Sequence, residues 1–238
     1  MVLEHVHRYR LTLPKILAGT EIVPKAGDVA ARLTLDRLSG DGWLCTADLY
    51  PGHGGEQYYH LSEKGAQALG QDGDIAQPLK SEMRIESFAI ATFCCCGDQF
   101  RELLTKEEFK RQFANLWFAG QPVRYYLDKG ADGIVRLAYI KVDKVGPGDW
   151  DRLIESCSRF LRQRVDAARV APEQRPRVEA FARLAKRGEF QFTVLTAVPE
   201  KKRAIELELQ RRKLNHDFAP PITVHVVPGL FEVLFPGP

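Results

Sequence analysis

The 238-residue chain is long enough for one or two domains that each bury a core. Its composition, 45% hydrophobic and 27% charged, is typical of a soluble globular protein, and it has no apolar run of about 18 residues that could span a membrane. The net charge of +3 does not by itself indicate a nucleic-acid binder. Five cysteines without regular spacing and a start without a signal-peptide pattern predict a cytoplasmic location.

The first forty residues predict helices. One interrupted helix or two short helices are expected over residues 3–18. A longer helix is expected over residues 29–38, with Asp28 as its cap and Gly40 as its end. This helix is expected to bury its leucines, which leaves its polar side chains for another face. The leucines are Leu33, Leu35 and Leu38, and the polar residues are Arg32, Thr34 and Arg37.

A two-stranded hairpin and a closing helix are predicted next. Residues 43–50 and 57–61 have strand-like composition, and the glycine-rich segment 51–56 between them predicts a hairpin tip. Residues 62–69 then predict a helix. The stretch from Asp28 to Leu69 is therefore expected to form a helix, a hairpin and a second helix in that order.

Two motifs in this stretch resemble winged helix-turn-helix DNA-binding domains. They are Leu-x-x-Leu-x-x-x-Gly-Trp-Leu at residues 35–44 and Tyr-His-Leu-Ser-Glu-Lys-Gly at residues 59–65; the second is similar to the end of the wing in MarR-type regulators. The resemblance implies that the longer helix enters the major groove of double-stranded DNA and that the wing tip contacts phosphate or the minor groove. The DNA-binding residues it implies are Lys25, Arg32, Thr34, Arg37, His53 and Gln57.

Arg32 and Arg37 are expected to have different roles in that interface. They are five residues apart, about 140° around a helix, so both cannot point straight into the groove. Arg32 lies near the start of the helix and is expected to contact a base edge. Arg37 is expected to contact a phosphate or to pair locally with Asp36 or Asp41.

The domain boundaries follow from turn-rich composition. The best linker is residues 70–78, and an apolar-rich helix from Ser81 to Cys96 is expected to join the domains. The division is therefore 1–70, a connecting segment 71–104, and 105–238. Because adjacent residues point in different directions, Cys94, Cys95 and Cys96 predict buried packing rather than a metal site.

The second half alternates helices and strands. Thr105 and Glu108 form a capping box for a helix with an apolar stripe, and strands are expected at 123–127, 133–142, 190–197 and 222–227. Helices are expected after Asp149, over 177–187 and from Pro199 to Leu214. This order predicts a three-layer α/β domain. The last eight residues resemble a protease site used in expression tags, so a strand end and a tag remnant are both considered.

The order of elements resembles the restriction-endonuclease-like fold of the PD-(D/E)xK class, and more narrowly the replication-relaxation family of bacterial mobile elements. In that family an aspartate opens one strand and a second acidic residue lies on the next. Here residues 131–137, with Asp132, take the first place, and residues 139–145, with Lys141 and Asp143, take the second. A nuclease of this class needs paired carboxylates for Mg²⁺ and a lysine. Lys141 stands where an acid is needed, so a solvated strand face and lost catalysis are expected.

The sequence therefore predicts an α+β or α/β protein, an N-terminal winged helix-turn-helix joined to a degenerate nuclease-like domain. The expected function is a sequence-specific DNA-binding regulator from a plasmid or integrative element, with no cofactor, whose second domain serves homodimerisation or extra DNA contact. The alternative is an Mg²⁺-dependent nuclease or accessory protein in plasmid replication or mobilisation, using Asp132, Lys141 and Asp143. Nine basic residues against three acidic ones between Arg159 and Arg187 indicate either a nucleic-acid surface or a solvated helix surface.

Overall fold

The fold is taken from a computed structural model. It describes residues 1–23, 27–51, 55–97, 99, 101–118, 120, 123–130, 133–145, 148, 152–155, 157, 159, 172–213 and 222–236. The helices are α1 (Val2–Tyr9), α2 (Pro14–Ala18), α3 (Gly27–Gly40), α4 (Glu63–Ala68), α5 (Ser81–Cys95), α6 (Lys106–Gln112), α7 (Arg175–Lys186), α8 (Pro199–Lys213) and α9 (Leu230–Leu234). The strands are β1 (Leu44–Asp48), β2 (Gln57–Leu61), β3 (Glu102–Leu103), β4 (Tyr125–Lys129), β5 (Val135–Val142), β6 (Phe190–Thr196) and β7 (Ile222–Val226).

The chain divides into two compact units at positions that differ from the predicted boundaries. Unit 1 contains residues 1–101 and 227–238, and unit 2 contains residues 102–226. Helix α5, expected to join two domains, therefore belongs to unit 1. Residues 230–234 form the short helix α9 rather than a strand end, and α9 packs against α5.

The predicted linker over residues 70–78 is mostly exposed, but it is anchored to unit 1 near its C-terminal end. Residues 73–76 form a short 3₁₀ helix that contacts α4 and β2. Ala76 is buried, and so is Leu79 just beyond the linker. The Leu79 N–H donates to the Tyr58 hydroxyl over 2.9 Å. Turn-rich composition indicated the absence of regular structure here, but it did not show that two apolar side chains anchor the segment.

Unit 1 is built on three helices followed by an antiparallel hairpin. Strands β1 and β2 pair from Leu44 opposite Leu61 to Asp48 opposite Gln57. The segment between α1 and α2 adds a bridge, since Thr12 and Tyr59 exchange two backbone hydrogen bonds of 2.9 Å. One buried cluster joins α1, α2, α3 and the hairpin: Val6, Leu17, Ala31, Leu35, Leu44, Tyr59 and Leu61.

The Ser-Glu-Lys-Gly motif positions α4 against the hairpin. Ser62 caps α4 by accepting a hydrogen bond from the Gly65 N–H over 3.0 Å, and its hydroxyl donates to the Gly42 carbonyl over 2.6 Å. A methyl group built on Gly65 would lie 2.3 Å from the Trp43 carbonyl oxygen. The helix can therefore approach β1 this closely only because residue 65 has no side chain.

Unit 2 contains a five-stranded mixed sheet, so the chain is α+β at the coarse level. The strand order is β3, β4, β5, β6, β7; the first three strands pair antiparallel, and β5, β6 and β7 run parallel. Parallel neighbours need crossover connections, and α7 and α8 supply them. The described parts of the two expected nuclease motifs, residues 133–137 and 139–145, follow one another along β5 instead of occupying successive strands.

The core of unit 2 is aromatic and lies against one face of the sheet. Phe109 on α6 stacks on Tyr125 of β4 with ring centroids 4.4 Å apart, and Phe181 on α7 meets Phe190 of β6 edge-on at 5.6 Å. The capping box that begins α6 is confirmed, with Thr105 and Glu108 bonded reciprocally. The predicted three-layer, restriction-endonuclease-like packing remains a prediction.

Two further expectations have definite outcomes. Cys94 and Cys95 are buried as predicted, whereas Cys96 at the end of α5 is exposed. Helix α3 begins at Gly27, so Asp28 lies in its first turn rather than capping it. Asp149, the expected cap of another helix, lies outside the described residues.

Candidate nucleic-acid interface

The outer face of α3 combines charged and apolar side chains. Arg32 and Arg37 are exposed, as expected. Val29 is 74% exposed and Leu33 is 64% exposed, so the prediction that Leu33 faces the core is wrong. The cause is helical geometry, since a residue two positions before buried Leu35 points about 160° away from it. Sequence reasoning missed Val29 as well, although it lies one turn before Leu33 on the same face.

The two arginines flank this face on opposite sides. Arg32 lies near the Tyr59 hydroxyl, which donates to the Asp36 carboxylate. Burial and that hydrogen bond raise the pKa of Tyr59 to about 12, while the Arg32 cation opposes the rise. Arg37 lies near Asp41, with Nε 3.9 Å from the carboxylate oxygen, which is one of the local pairings expected for it. This long, exposed contact is weak and easily replaced.

Around the axis of α3, Thr34 lies between Arg37 and the buried face of the helix. It is half-buried, and its hydroxyl donates to the Ala30 carbonyl over 2.8 Å, so the hydroxyl hydrogen is already used. Thr34 and Arg37 line a groove of about 560 Å³ together with Trp43 and the first residues of α1. The structure therefore places Thr34 away from Arg32, and only its oxygen lone pairs are available to a partner.

The hairpin brings Gln57 to the Arg32 side of α3. Gln57 is exposed and lies two residues before Tyr59 on β2, so both side chains share one face of the strand. Tyr59 in turn reaches Asp36 on α3. Arg32 and Gln57 thus lie on one surface of unit 1. Lys25 and His53, also expected to bind DNA, lie outside the described residues.

The charge is distributed unevenly between the two units. Unit 1 contains ten lysines and arginines against fourteen acidic residues, whereas unit 2 contains 24 against 17. Helix α3 itself includes Asp28 and Asp36 beside its two arginines. The excess of positive charge therefore lies in unit 2.

Asp143, expected on a solvated strand face, is buried and paired, so that expectation is wrong. Its carboxylate lies 2.8 Å from Lys201 Nζ, and the two side chains are 2% and 1% exposed. Thr196 Oγ1 donates to it over 3.1 Å, and the Val145 N–H donates over 3.2 Å. The cause is tertiary: the first turn of α8 places Lys201 over the end of β5.

Asp143, the described carboxylate of the expected nuclease residues, does not fit a divalent cation. Asp143 already has an ammonium group and two hydrogen-bond donors, so Mg²⁺ beside it would be repelled by Lys201. Asp132 lies outside the described residues. Gly133 precedes β5 and Asp143 follows it, so the length of that strand, about 26 Å, lies between Gly133 and Asp143. Among the described residues, no group of three His, Cys, Asp or Glu side chains could hold a metal ion.

A buried polar network on the opposite face of the sheet was missed by sequence reasoning. Tyr126 Oη lies 2.9 Å from Thr193 Oγ1, and Gln191 Nε2 lies 3.2 Å from Thr223 Oγ1 and 3.4 Å from Asp128 Oδ2. The available signal was the alternation of Gln191 and Thr193 with apolar residues along β6. These contacts satisfy one another, so the network explains the burial of polar groups without a ligand.

Comparisons with protein-family models, with curated proteins and with solved structures give no match. Over the part of the chain that the structure describes, every helix is too short or too polar to cross a membrane.

Proposed function

We propose that this chain is a sequence-specific, double-stranded DNA-binding protein that regulates transcription through a winged helix in unit 1. The observation that carries the proposal is the exposed outer face of α3, held by a buried inner face and followed by the β1–β2 hairpin. Three helices followed by a hairpin, with a strand bridge from the segment between the first two helices to the hairpin, support a winged-helix arrangement. In that arrangement α3 enters the major groove.

The side chains on α3 have distinct roles in this proposal. Arg32 donates hydrogen bonds to a guanine edge, the commonest specific contact of an arginine. Val29 and Leu33 contact thymine methyl groups, which suits their exposure of 74% and 64%. Arg37 exchanges its 3.9 Å contact with Asp41 for a phosphate oxygen.

The hairpin supplies contacts beside α3. Gln57 of the hairpin lies on the surface shared with Arg32. On α3 itself, Thr34 offers only acceptor lone pairs because its hydroxyl donates its hydrogen to the Ala30 carbonyl. Lys25 before α3 and His53 at the hairpin tip are proposed to contact phosphate or the minor groove. These contacts would fix the position of the helix without selecting a sequence.

Unit 2 is proposed to be nuclease-like without catalysis, and to support dimerisation or further DNA contact. The Asp143–Lys201 ion pair supports this, because a lysine occupies the place where a metal ion would bind the carboxylate. The nuclease alternative has a direct test: purified protein with Mg²⁺ or Mn²⁺ should leave duplex and single-stranded DNA intact. Cleavage that disappears in Asp132→Ala would favour the nuclease instead.

The binding experiment starts with selection of a preferred duplex from a random library. Affinities are then measured for the selected and a random duplex across a salt series. Arg32→Ala is expected to weaken the selected complex by about 1–3 kcal/mol, roughly 5- to 150-fold, with little effect on random DNA. Arg37→Ala should weaken both complexes alike. Lys80→Ala, which removes an exposed cation from unit 1 outside α3, is the matched control.

Three results would contradict the proposal in different ways. No enrichment of any duplex would exclude sequence-specific binding. If a duplex is enriched but the wild type and Arg32→Ala bind it with equal affinity, Arg32 does not contact the DNA. A similar loss in Arg32→Ala and Lys80→Ala would show a general effect of charge rather than contact with a base.

A further inference from the structure

Three basic side chains of α7 form a stripe on the surface of unit 2. Arg175, Arg183 and Lys186 are all exposed. At 100° per residue they fall within an arc of about 80°, and from first to last they extend about 16 Å along the helix. Glu179 is the one carboxylate among the residues of α7, and it lies within the same arc.

The cations of the stripe contrast with several other basic residues of unit 2, which contact a carboxylate or an aromatic ring. Of the described carboxylates, none forms an ion pair with Arg175, Arg183 or Lys186. By contrast, Arg187 pairs with Glu189 at 2.7 Å, and Arg177 lies over the Phe118 ring with 4.7 Å to its centroid. On an ordinary solvated helix surface, oppositely charged side chains three or four residues apart commonly pair.

The orientation of the stripe is fixed by the core. Val178, Phe181 and Ala185 on the other side of α7 are buried, and Phe181 and Ala185 belong to the main core cluster of unit 2. The helix therefore cannot rotate to bring the cations toward protein carboxylates. Unit 2 also has seven more basic than acidic residues, so its net charge favours an anionic partner.

We infer that the α7 stripe binds the phosphate backbone of double-stranded DNA. The inference rests on the proposed function and adds to it a second contact surface, which supplies affinity without sequence preference. A stripe of about 16 Å spans roughly five phosphates of one strand at 3.4 Å per step along the axis, enough for three cations. The acidic unit 1 then selects the sequence, and the basic unit 2 provides much of the attraction.

The test compares two triple variants with the same loss of charge. In the stripe variant, Arg175→Gln, Arg183→Gln and Lys186→Gln remove the unpaired cations. In the control variant, Arg187→Gln, Lys202→Gln and Arg211→Gln remove cations of unit 2 that already have carboxylate partners. Affinity for a selected and a random duplex is measured from 50 to 200 mM salt. Circular dichroism checks the fold of both variants.

The stripe variant should reduce the slope of log K against log salt by about 2–3, because each lost phosphate contact removes about 0.9. The loss should be the same for selected and random DNA. The control variant should change the slope by less than about one. In a separate variant, Glu179→Gln should tighten binding to both duplexes, since it removes the carboxylate from the arc.

The outcomes separate the inference from the function on which it rests. If the wild type binds no duplex, both are overturned. If the wild type binds DNA but the stripe and control variants have equal slopes, the stripe is not a phosphate surface, although the proposed function stands. If the stripe variant does not fold, unchanged binding by Glu179→Gln overturns the inference.

Discussion

Replacing Lys201 with methionine removes one half of the buried ion pair in unit 2 and keeps most of the side-chain volume. The Asp143 carboxylate would then remain 2% exposed, and its donors among the described residues would be the Thr196 hydroxyl and the Val145 N–H. The Val145 carbonyl would also lose the hydrogen bond that Lys201 donates over 3.2 Å. The variant therefore buries an uncompensated charge rather than losing a surface contact.

The expected cost follows from that burial. An exposed pair contributes about 0–1 kcal/mol, but removal of one partner of a buried pair costs about 3–5 kcal/mol. The double variant Asp143→Asn/Lys201→Met carries no buried charge, and its asparagine still accepts hydrogen bonds. It should be more stable than Lys201→Met by about 2 kcal/mol or more.

Urea unfolding followed by tryptophan fluorescence measures these differences. Trp117 reports on unit 2, where it packs near Phe109 with ring centroids 6.5 Å apart, whereas Trp43 reports on unit 1. A loss of 3 kcal/mol shifts the midpoint of unit 2 by about 1–3 M urea for a slope of 1–3 kcal/mol per M. The urea midpoint of unit 1 should not change, because the substitution lies in unit 2.

Two results would refute the reasoning about the pair. A loss below about 1 kcal/mol in Lys201→Met would mean that water or a neighbouring group solvates Asp143 in the folded protein. The single variant Asp143→Asn completes a double-mutant cycle, and losses of the two single variants that add up to the loss of the double variant would mean that the charges do not interact.

Two further predictions concern unit 1. Gly65→Ala should lower the unfolding free energy by about 1–3 kcal/mol, because its methyl group would lie 2.3 Å from the Trp43 carbonyl oxygen. Gly40→Ala, with nothing within 4 Å, is the control, and equal losses in urea unfolding would contradict the argument. Burial lowers the pKa of His5 from 6.5 to about 4, so the unfolded state binds more protons between these values. Stability should fall by up to about 3 kcal/mol as the pH drops through this window, and an unchanged pH dependence in His5→Gln would contradict the assignment.

Local signals in the sequence predicted local structure well. The Thr105–Glu108 capping box and the apolar run of β6 are both confirmed, because each depends on residues close together in the chain. Helix α8 likewise begins at Pro199 as predicted. Polar residues such as Arg32 and Gln57 are exposed as expected, since charged and polar side chains favour solvent regardless of tertiary packing.

The misplaced residues depended on partners distant in sequence. Asp143 followed a strand and looked solvated, but its partner Lys201 is 58 residues away on α8. Leu33 matched a leucine pattern, yet only the packing of α3 against α1, α2 and the hairpin determined that Leu35 faces inward. No pattern within the segment itself could determine either outcome, because both depend on which elements meet.

The division of unit 1 into two segments has a consequence for synthesis. Leu230 and Val233 of α9 are buried in unit 1, and the adjacent Gly229 lies against Phe88 of α5. The ribosome makes the 125 residues of unit 2 between these two segments, which takes about 6–25 s at 5–20 residues per second. During that interval α9 has not been synthesised, so it cannot yet pack against α5. Unit 2 is therefore the first unit whose residues have all been translated, although unit 1 begins the chain.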